Sequence, residues 1–137
     1  MSQINVKRVI LGGLVAGVLI NIGEFITHGV FLRETWQAMV NAGQSNPDPA
    51  MLWCVLSRFG IGGLLAWFYA AVRPRLGGSP KTALIIAVVG SLLVWGPMSL
   101  DMGLFGVAPL AAPLGTFIGG MISGIVGLFV AAWIYKE

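Results

Sequence analysis

Charged residues are scarce in this sequence and make up only 9% of its 137 positions. Soluble globular domains carry roughly 25% charged residues, so this chain lacks the means to cover itself with a water-facing surface. Hydrophobic residues account for 57% of the chain, and the mean hydropathy is +0.89. The composition therefore excludes a soluble domain and predicts an integral membrane protein.

Cysteine and histidine occur once each, as Cys54 and His28. A single cysteine excludes an intrachain disulfide and a CxxC metal or redox site. The sequence also has no glycine-rich phosphate loop, no serine nucleophile elbow and no pair of catalytic carboxylates. No pattern in the sequence indicates an enzyme.

The net charge is +3, but the cations do not form a patch interleaved with aromatic residues. They flank the apolar runs instead, which is the arrangement expected of cations that face the phospholipids of a bilayer. The charge pattern therefore predicts the lipid bilayer as a partner and no nucleic acid.

Four apolar segments lie near residues 6–32, 53–73, 81–105 and 109–135. Each reaches the roughly 20 residues that a helix needs to cross a bilayer. The first is longer than the apolar region of a signal peptide and is not followed by an A-x-A cleavage site, so it is interpreted as a transmembrane helix. We expect an all-α membrane protein, a four-transmembrane-helix bundle that forms a single domain over residues 1–137.

Lysine and arginine are concentrated at one end of these segments, before the first, between the second and third, and after the fourth. Cytoplasmic loops carry an excess of these residues. We therefore expect both termini to be cytoplasmic in a multi-pass protein of the bacterial inner membrane. The cations that carry this prediction are Lys7, Arg8, Arg73, Arg75, Lys81 and Lys136.

The loop over residues 33–51 is expected to lie on the outer side of the membrane. Trp36, Met39 and Val40 recur at helical spacing in its first part, which predicts a short helix on the membrane surface. The following QSNPDPA segment, with its two prolines, is typical of a turn that leads into the second membrane helix.

One stripe of small and polar residues follows a single face of the first helix. The small residues would allow a neighbouring helix to approach closely, and ionisable groups at membrane depth must face protein or water. The fourth helix carries small residues at similar spacing, so we expect these two helices to pack along their matched stripes. The stripe of the first helix is Gly13, Gly17, Asn21, Glu24 and His28, and that of the fourth includes Gly120, Gly124 and Gly127.

Ionisable side chains collect in the outer half of the predicted membrane domain. An isolated charge at that depth costs at least roughly 2.5 kcal/mol, so Glu24 and Arg58, which lie at similar depth, are expected to form an ion pair. His28 would join the same network. With Asn21 and Asp101, these residues form the candidate polar cluster or ligand-binding site.

Four interpretations of this cluster are open. It is an ion pair that sets the register between helices, or the floor of an outward-facing cavity that binds a small ligand or carries a proton. The third interpretation is a metal site, and the fourth is a haem ligated by His28. The candidate metal ligands are Glu24 and His28, with Met98, Met102 and Cys54 as soft donors.

Two further segments carry a resemblance to known proteins. GVFLRETWQAMVNAG at residues 29–43 and WGPMSLDMGLFG at residues 95–106, together with the glycine-rich fourth helix, resemble small four-helix inner-membrane proteins of bacteria whose function is unassigned. The resemblance implies a compact four-helix bundle. The Asn21, Glu24 and His28 pattern departs from that group, and no functional residue is carried over.

Two functions are compatible with these features. In the first, the chain is a structural or accessory subunit of a homo-oligomer or of a complex with other membrane subunits. It would dock through its glycine-rich and aromatic helix faces. In the second, it is a small binding or transport protein with an outward-facing polar site around Glu24, His28, Arg58 and Asp101.

Overall fold

The structure, a computed structural model, describes residues 4–44 and 47–135, and all regular secondary structure within these residues is helical. By length and composition, four of the helices qualify as membrane spans. The prediction of an all-α chain with four spans is therefore confirmed. The elements are α1 (Val6–Ile26), a π-helical segment (Thr27–Phe31), α2 (Arg33–Asn41), α3 (Pro47–Leu76), α4 (Pro80–Leu104) and α5 (Ala111–Ile134).

Helix α3 is longer than predicted and includes part of the segment that was expected to form a turn. It extends over 30 residues and begins at Pro47, so the second half of the QSNPDPA segment is helical. Proline is tolerated there because the first N–H groups of a helix have no acceptor within the helix. Pro47 and Pro49 thus lie in the first turn of α3 instead of separating it from the preceding loop.

The first membrane span ends in a widened turn. The backbone N–H of Leu32 donates to the carbonyl of Thr27 over 2.9 Å, which is the i to i+5 pattern of a π-helix. The first membrane span, predicted near residues 6–32, covers residues 6–31 and ends in this widened turn. His28 lies within this π-helical segment.

The short helix predicted in the following loop is present as α2. Met39 is buried and Trp36 is half-buried, whereas Val40 is exposed. The apolar face thus turns towards the rest of the chain. Its position on the membrane surface stays a prediction.

The two chain termini lie at the same end of the molecule. The backbone N–H of Asn5 donates to the Tyr135 hydroxyl over 3.1 Å, and the Tyr135 ring contacts that of Tyr69 edge-on at 6.1 Å between centroids. We call this the terminal end, and it includes the α3–α4 turn at residues 77–79. The loop end, on the opposite side, contains α2 and the α4–α5 turn.

The stripe of small residues on α1 faces α3, whereas it was predicted to pack on α5. A Cβ atom added to Gly13 would lie 2.7 Å from the Cα of Gly63, and one added to Gly62 would lie 2.6 Å from the Gly13 carbonyl oxygen. A Cβ added to Gly17 would lie 2.8 Å from the Cα of Phe59. The two backbones approach so closely because glycines oppose one another on both helices.

The small residues of α5 are divided between two neighbours. Any Cβ at Gly120 or Gly124 would collide with the Trp95 side chain of α4, because these glycines make room for the indole ring. Gly127 faces Ala16 of α1. Helices α1 and α5 do contact each other, but Gly13 and Gly17 do not meet Gly120 and Gly124 as predicted, since the bulky indole requires that part of α5.

We predict that adding one methyl group changes the stability differently at two adjacent positions of α3. Gly62→Ala should destabilise the protein by roughly 1–3 kcal/mol, because the new Cβ would meet backbone atoms of α1. Gly63→Ala, whose Cβ would have no atom within 4 Å, is the matched control. It should be neutral or slightly stabilising, since alanine favours helix over glycine.

Thermal unfolding of the purified variants in detergent measures this difference. Equal stability of the two variants would contradict the close contact of α1 with α3.

Candidate functional site

The carboxylate of Glu24 is the most buried ionised group among the described residues, with 6% of the residue exposed. Its Oε1 accepts a hydrogen bond from Trp95 Nε1 at 3.1 Å. Its Oε2 accepts from Arg58 Nη2 at 3.0 Å and from His28 Nε2 at 3.1 Å. The predicted contact of Glu24 with Arg58 and His28 is therefore present, and a tryptophan completes it.

Each side chain reaches the carboxylate from a different element of the fold. Glu24 lies near the end of α1, and His28 follows four residues later, where one turn brings both side chains to the same face. Arg58 comes from α3, and Trp95 comes from α4. The close glycine contacts of α1 with α3 and of α5 with the indole hold these donors within reach of one carboxylate.

The hydrogen bonds of His28 define its protonation. Trp36 Nε1 lies 3.0 Å from His28 Nδ1, and an indole N–H is only a donor. Nδ1 therefore accepts, so the ring is neutral and carries its proton on Nε2, where it donates to Glu24. The charge that balances Glu24 is the guanidinium of Arg58.

Hydrogen bonds along α3 also hold the Arg58 side chain. Its Nη1 donates to the Ser57 hydroxyl at 2.9 Å, and that hydroxyl donates to the Cys54 carbonyl at 2.8 Å. The Arg58 side chain is 12% exposed and that of Glu24 is 8% exposed. Such a pair gains strength from its low-dielectric surroundings, and the loss of either partner would leave the other as an uncompensated buried charge.

Asn21 lies one turn from this network and links the same two helices. Its Nδ2 donates to the carbonyls of Gly17 at 2.9 Å and of Val55 at 3.3 Å. It therefore cross-links α1 to α3 through the backbone of α3. It forms no hydrogen bond with the Glu24 carboxylate among the described residues.

Asp101 was expected in the cluster, and the structure places it outside. It is exposed, and its carboxylate forms no hydrogen bond or ion pair with any residue that the structure describes. The reason is helical geometry, because Asp101 follows Trp95 by six residues and so points roughly 120° away from it around α4. The face of α4 that reaches Glu24 is the face of the indole.

The proposed metal ligands do not converge. Cys54 is exposed on α3, Met98 is 39% exposed, and Met102 is half-buried near the end of α4. Over residues 4–44 and 47–135, no group of three or more His, Cys, Asp or Glu side chains could hold a metal ion. Both ring nitrogens of His28 already form hydrogen bonds, so the geometry supports neither the metal nor the haem interpretation.

Trp36, Ser57 and Trp95 were not expected in this network. Trp95 carried a usable signal, since it lies inside a membrane span at a distance from the interfaces where tryptophan is usual. An indole at such depth needs an acceptor for its N–H group, and Glu24 is the acidic residue at matching depth. Trp36 offered no comparable signal, because its partner depends on how α2 folds back.

The network is suited to holding three helices together. All hydrogen bonds of the Glu24 carboxylate come from the chain itself, and His28 is bonded at both nitrogens. Two cavities of about 410 and 430 Å³ lie elsewhere in the described part of the chain, and neither is lined by Glu24, His28 or Arg58. A ligand at this carboxylate would have to reach a side chain that is 8% exposed and already accepts from three donors of the fold.

Comparison with protein-family models, with curated proteins and with solved structures finds no match. The function of the site is therefore inferred from its own geometry.

We predict strong coupling between Glu24 and Arg58. Glu24→Gln and Arg58→Met should each destabilise the protein by roughly 3–5 kcal/mol, because each leaves a buried partner without its counter-charge. The double variant should lose less than the sum of the two single losses. Trp95→Phe should cost roughly 1.5–3 kcal/mol, the value of a hydrogen bond to a charged group.

Chemical or thermal unfolding in detergent measures these losses. Glu34→Gln, at an exposed position of α2, is the control and should leave the stability unchanged. Strictly additive losses would show that Glu24 and Arg58 do not interact.

Proposed function

We propose that this chain is a structural or accessory membrane subunit that assembles through α3 and that its partner is a second copy of itself. The observation that carries the proposal is the poor coverage of α3 by the rest of the chain. In its most apolar 18-residue window, 17% of the residues are buried, against 39–44% in the other three spans. Residues 48–57, the loop-end part of α3, are all exposed.

The exposed face of α3 has the spacing of a helix–helix seam. Five residues follow one another at intervals of four and three, which is the pattern of a left-handed coiled coil. Large side chains lie towards the ends of this seam, and the small residues lie between them, where two helices would cross most closely. The seam consists of Trp53, Ser57, Gly60, Leu64 and Trp67, all of them exposed.

A second copy fits this seam better than an unrelated partner for two reasons. Two copies inserted in the same orientation form a parallel, symmetric pair, in which each seam residue meets its own counterpart. Gly60 would then meet Gly60, and a Cβ added there has no atom within 4 Å in the single chain. The dimer would also bring no unneutralised charges together, because Glu24 of the same chain neutralises Arg58.

We further propose that the terminal end faces the cytoplasm of a bacterial cell and that the protein lies in the inner membrane. The supporting observation is the distribution of cations over the two ends of the spans. Lys7, Arg8, Arg75 and Lys81 lie at the terminal end, and positively charged loops stay on the cytoplasmic side. Lys136, which contributes to the same prediction, lies outside the described residues.

The orientation is tested by labelling single cysteines in intact cells with a membrane-impermeant maleimide. In a Cys54→Ser background, Gln44→Cys at the loop end should react, and Ser79→Cys at the terminal end should react only after the cells are lysed. The reverse pattern would show the opposite orientation.

The proposed assembly is tested by oxidative cross-linking in native membranes. In the same Cys54→Ser background, Gly60→Cys should form a disulfide-linked dimer, because the Cα atoms at the centre of the seam would approach within the roughly 7 Å that a disulfide allows. Ile118→Cys is the matched control, since it is exposed on α5 at an equal number of residues from the terminal end of its helix. It should remain monomeric.

Three outcomes of this experiment would contradict the proposal. Equal cross-linking at the two positions would indicate random collision. Absence of a dimer at Gly60→Cys would reject the seam, and a product with the mass of a mixed complex would identify a different membrane protein on α3.

The alternative function, a small binding or transport protein, receives less support from the geometry. It requires room for a ligand at Glu24, and the cavities of about 410 and 430 Å³ lie elsewhere. It also requires access to a carboxylate that is buried and already accepts three hydrogen bonds within the chain.

A further inference from the structure

A cavity of about 410 Å³ opens at the terminal end, between the end of α3, the start of α4 and the end of α5. Its size is within the range of small-molecule sites in proteins. It lies far from the Glu24 network, which is in the loop-end half of the molecule. Nothing in the docking function proposed above uses it.

One wall of this cavity is cationic and fixed in place. The guanidinium of Arg73 lies over the ring of Tyr135, 5.5 Å from its centroid, a geometry that stabilises the cation. A Cβ added to Gly78 would lie 2.5 Å from Arg73 Nε, so the turn packs directly against the guanidinium. Gly77 has a φ of +80°, a conformation that favours glycine and brings the turn back over Arg73.

The start of α4 lines the same cavity. Ser79, whose side chain caps α4 by accepting from the N–H of Thr82, is part of the lining. The first turn of α4 contains no acidic residue, so the partial positive charge of this helix end is not neutralised locally. The cavity therefore combines a guanidinium with the positive end of a 25-residue helix.

In the sequence, cations outnumber acidic residues at the terminal end. Arg75 and Lys81 are exposed beside it. The acidic residues of the described chain, namely Glu24, Glu34, Asp48 and Asp101, belong to the loop-end half, and Glu137 is the acidic residue at the chain terminus. An anion that approaches the terminal end would therefore meet a positive field.

The other wall of the cavity is apolar and open to the membrane. Phe129, Val130 and Trp133 of α5 belong to the lining, and Phe129 and Trp133 are 39% and 71% exposed. An indole at the end of a membrane span is typical of the level of lipid headgroups. A ligand that fits both walls has an anionic group at one end and a hydrocarbon chain at the other.

We propose that this cavity binds an anionic phospholipid, with the phosphate at Arg73 beside the start of α4 and an acyl chain along Phe129 and Trp133. Guanidinium groups are well matched to phosphate because they present paired N–H donors. Basic pockets between membrane helices bind lipid headgroups in the same way. The chemistry recognised is a phosphate anion, and the chain along α5 distinguishes a lipid from free phosphate.

The full-length protein, purified in a neutral detergent, is titrated with phosphatidylglycerol, phosphatidylcholine or inorganic phosphate while its melting temperature is followed. A ligand that binds the folded state raises this temperature. We expect phosphatidylglycerol to raise it at concentrations at which phosphatidylcholine and inorganic phosphate have little effect. Arg73→Gln should weaken the apparent affinity for phosphatidylglycerol roughly tenfold, as expected for the loss of one charged hydrogen bond.

Two matched pairs of variants separate a specific site from general surface charge and from loss of folding. Arg75→Gln removes an exposed cation at the same end and should retain the response. Val130→Trp fills the cavity without any change of charge and should abolish the response. Val126→Trp, one turn earlier on α5 and outside the lining, should retain it, so the Val130 pair tests the proposal even if Arg73→Gln does not fold.

The proposal is overturned by any of three results. Equal stabilisation by phosphatidylcholine would show that the headgroup is not recognised. Equal losses in Arg73→Gln and Arg75→Gln, or a retained response in Val130→Trp, would show diffuse attraction to the surface. A full response to inorganic phosphate would show that no acyl chain takes part.

Discussion

The structure depends on one ionised carboxylate that is buried among the helices. Glu24 lies inside a membrane span, where an unpaired charge costs several kcal/mol, and the fold supplies three donors to it from three segments of the chain. Two of its partners, Arg58 and Trp95, come from helices that are distant in sequence. Because these donors must all point at one pair of oxygens, the relative depth and rotation of α1, α3 and α4 are constrained together.

The glycines make this convergence sterically possible. Short side chains such as Glu24 reach their partners only when the helix backbones are close, and Gly13 and Gly62 allow that approach between α1 and α3. On the other side, Gly120 and Gly124 of α5 leave the space in which the indole of Trp95 lies. The polar network and the small residues are therefore two parts of the same packing arrangement.

The two halves of the molecule along the membrane normal differ in the residues they contain. The loop-end half contains the carboxylate network, and the exposed seam of α3 crosses the middle of the span. The terminal half contains an apolar core, with Ala16, Leu65 and Leu128 buried, and ends in a cationic cavity flanked by aromatic residues. An assembly through α3 and a lipid at the terminal end would use separate surfaces, so the two proposals stand or fail independently.

The composition and the apolar runs were sufficient to predict four membrane helices, because a segment of about 20 apolar residues has few alternatives in a bilayer. The pairing of Glu24 with Arg58 also followed from the sequence, since both charges lie at similar depth and neither reaches water. The helix ends were less predictable. Proline is compatible with both a turn and a first helical turn, so Pro47 and Pro49 did not identify where α3 begins.

Which helix faces which was decided only by the tertiary structure. The stripes of small residues on α1 and α5 matched in sequence, but α3 also has small residues on one face, at Gly62 and Gly63. The space beside Gly120 is occupied by the indole of Trp95. Asp101 lies at the expected depth and was excluded only by the rotation of α4. Depth follows from position along a hydrophobic run and can be read from the sequence, whereas rotation depends on the side chains of neighbouring helices, which only the packed structure brings together.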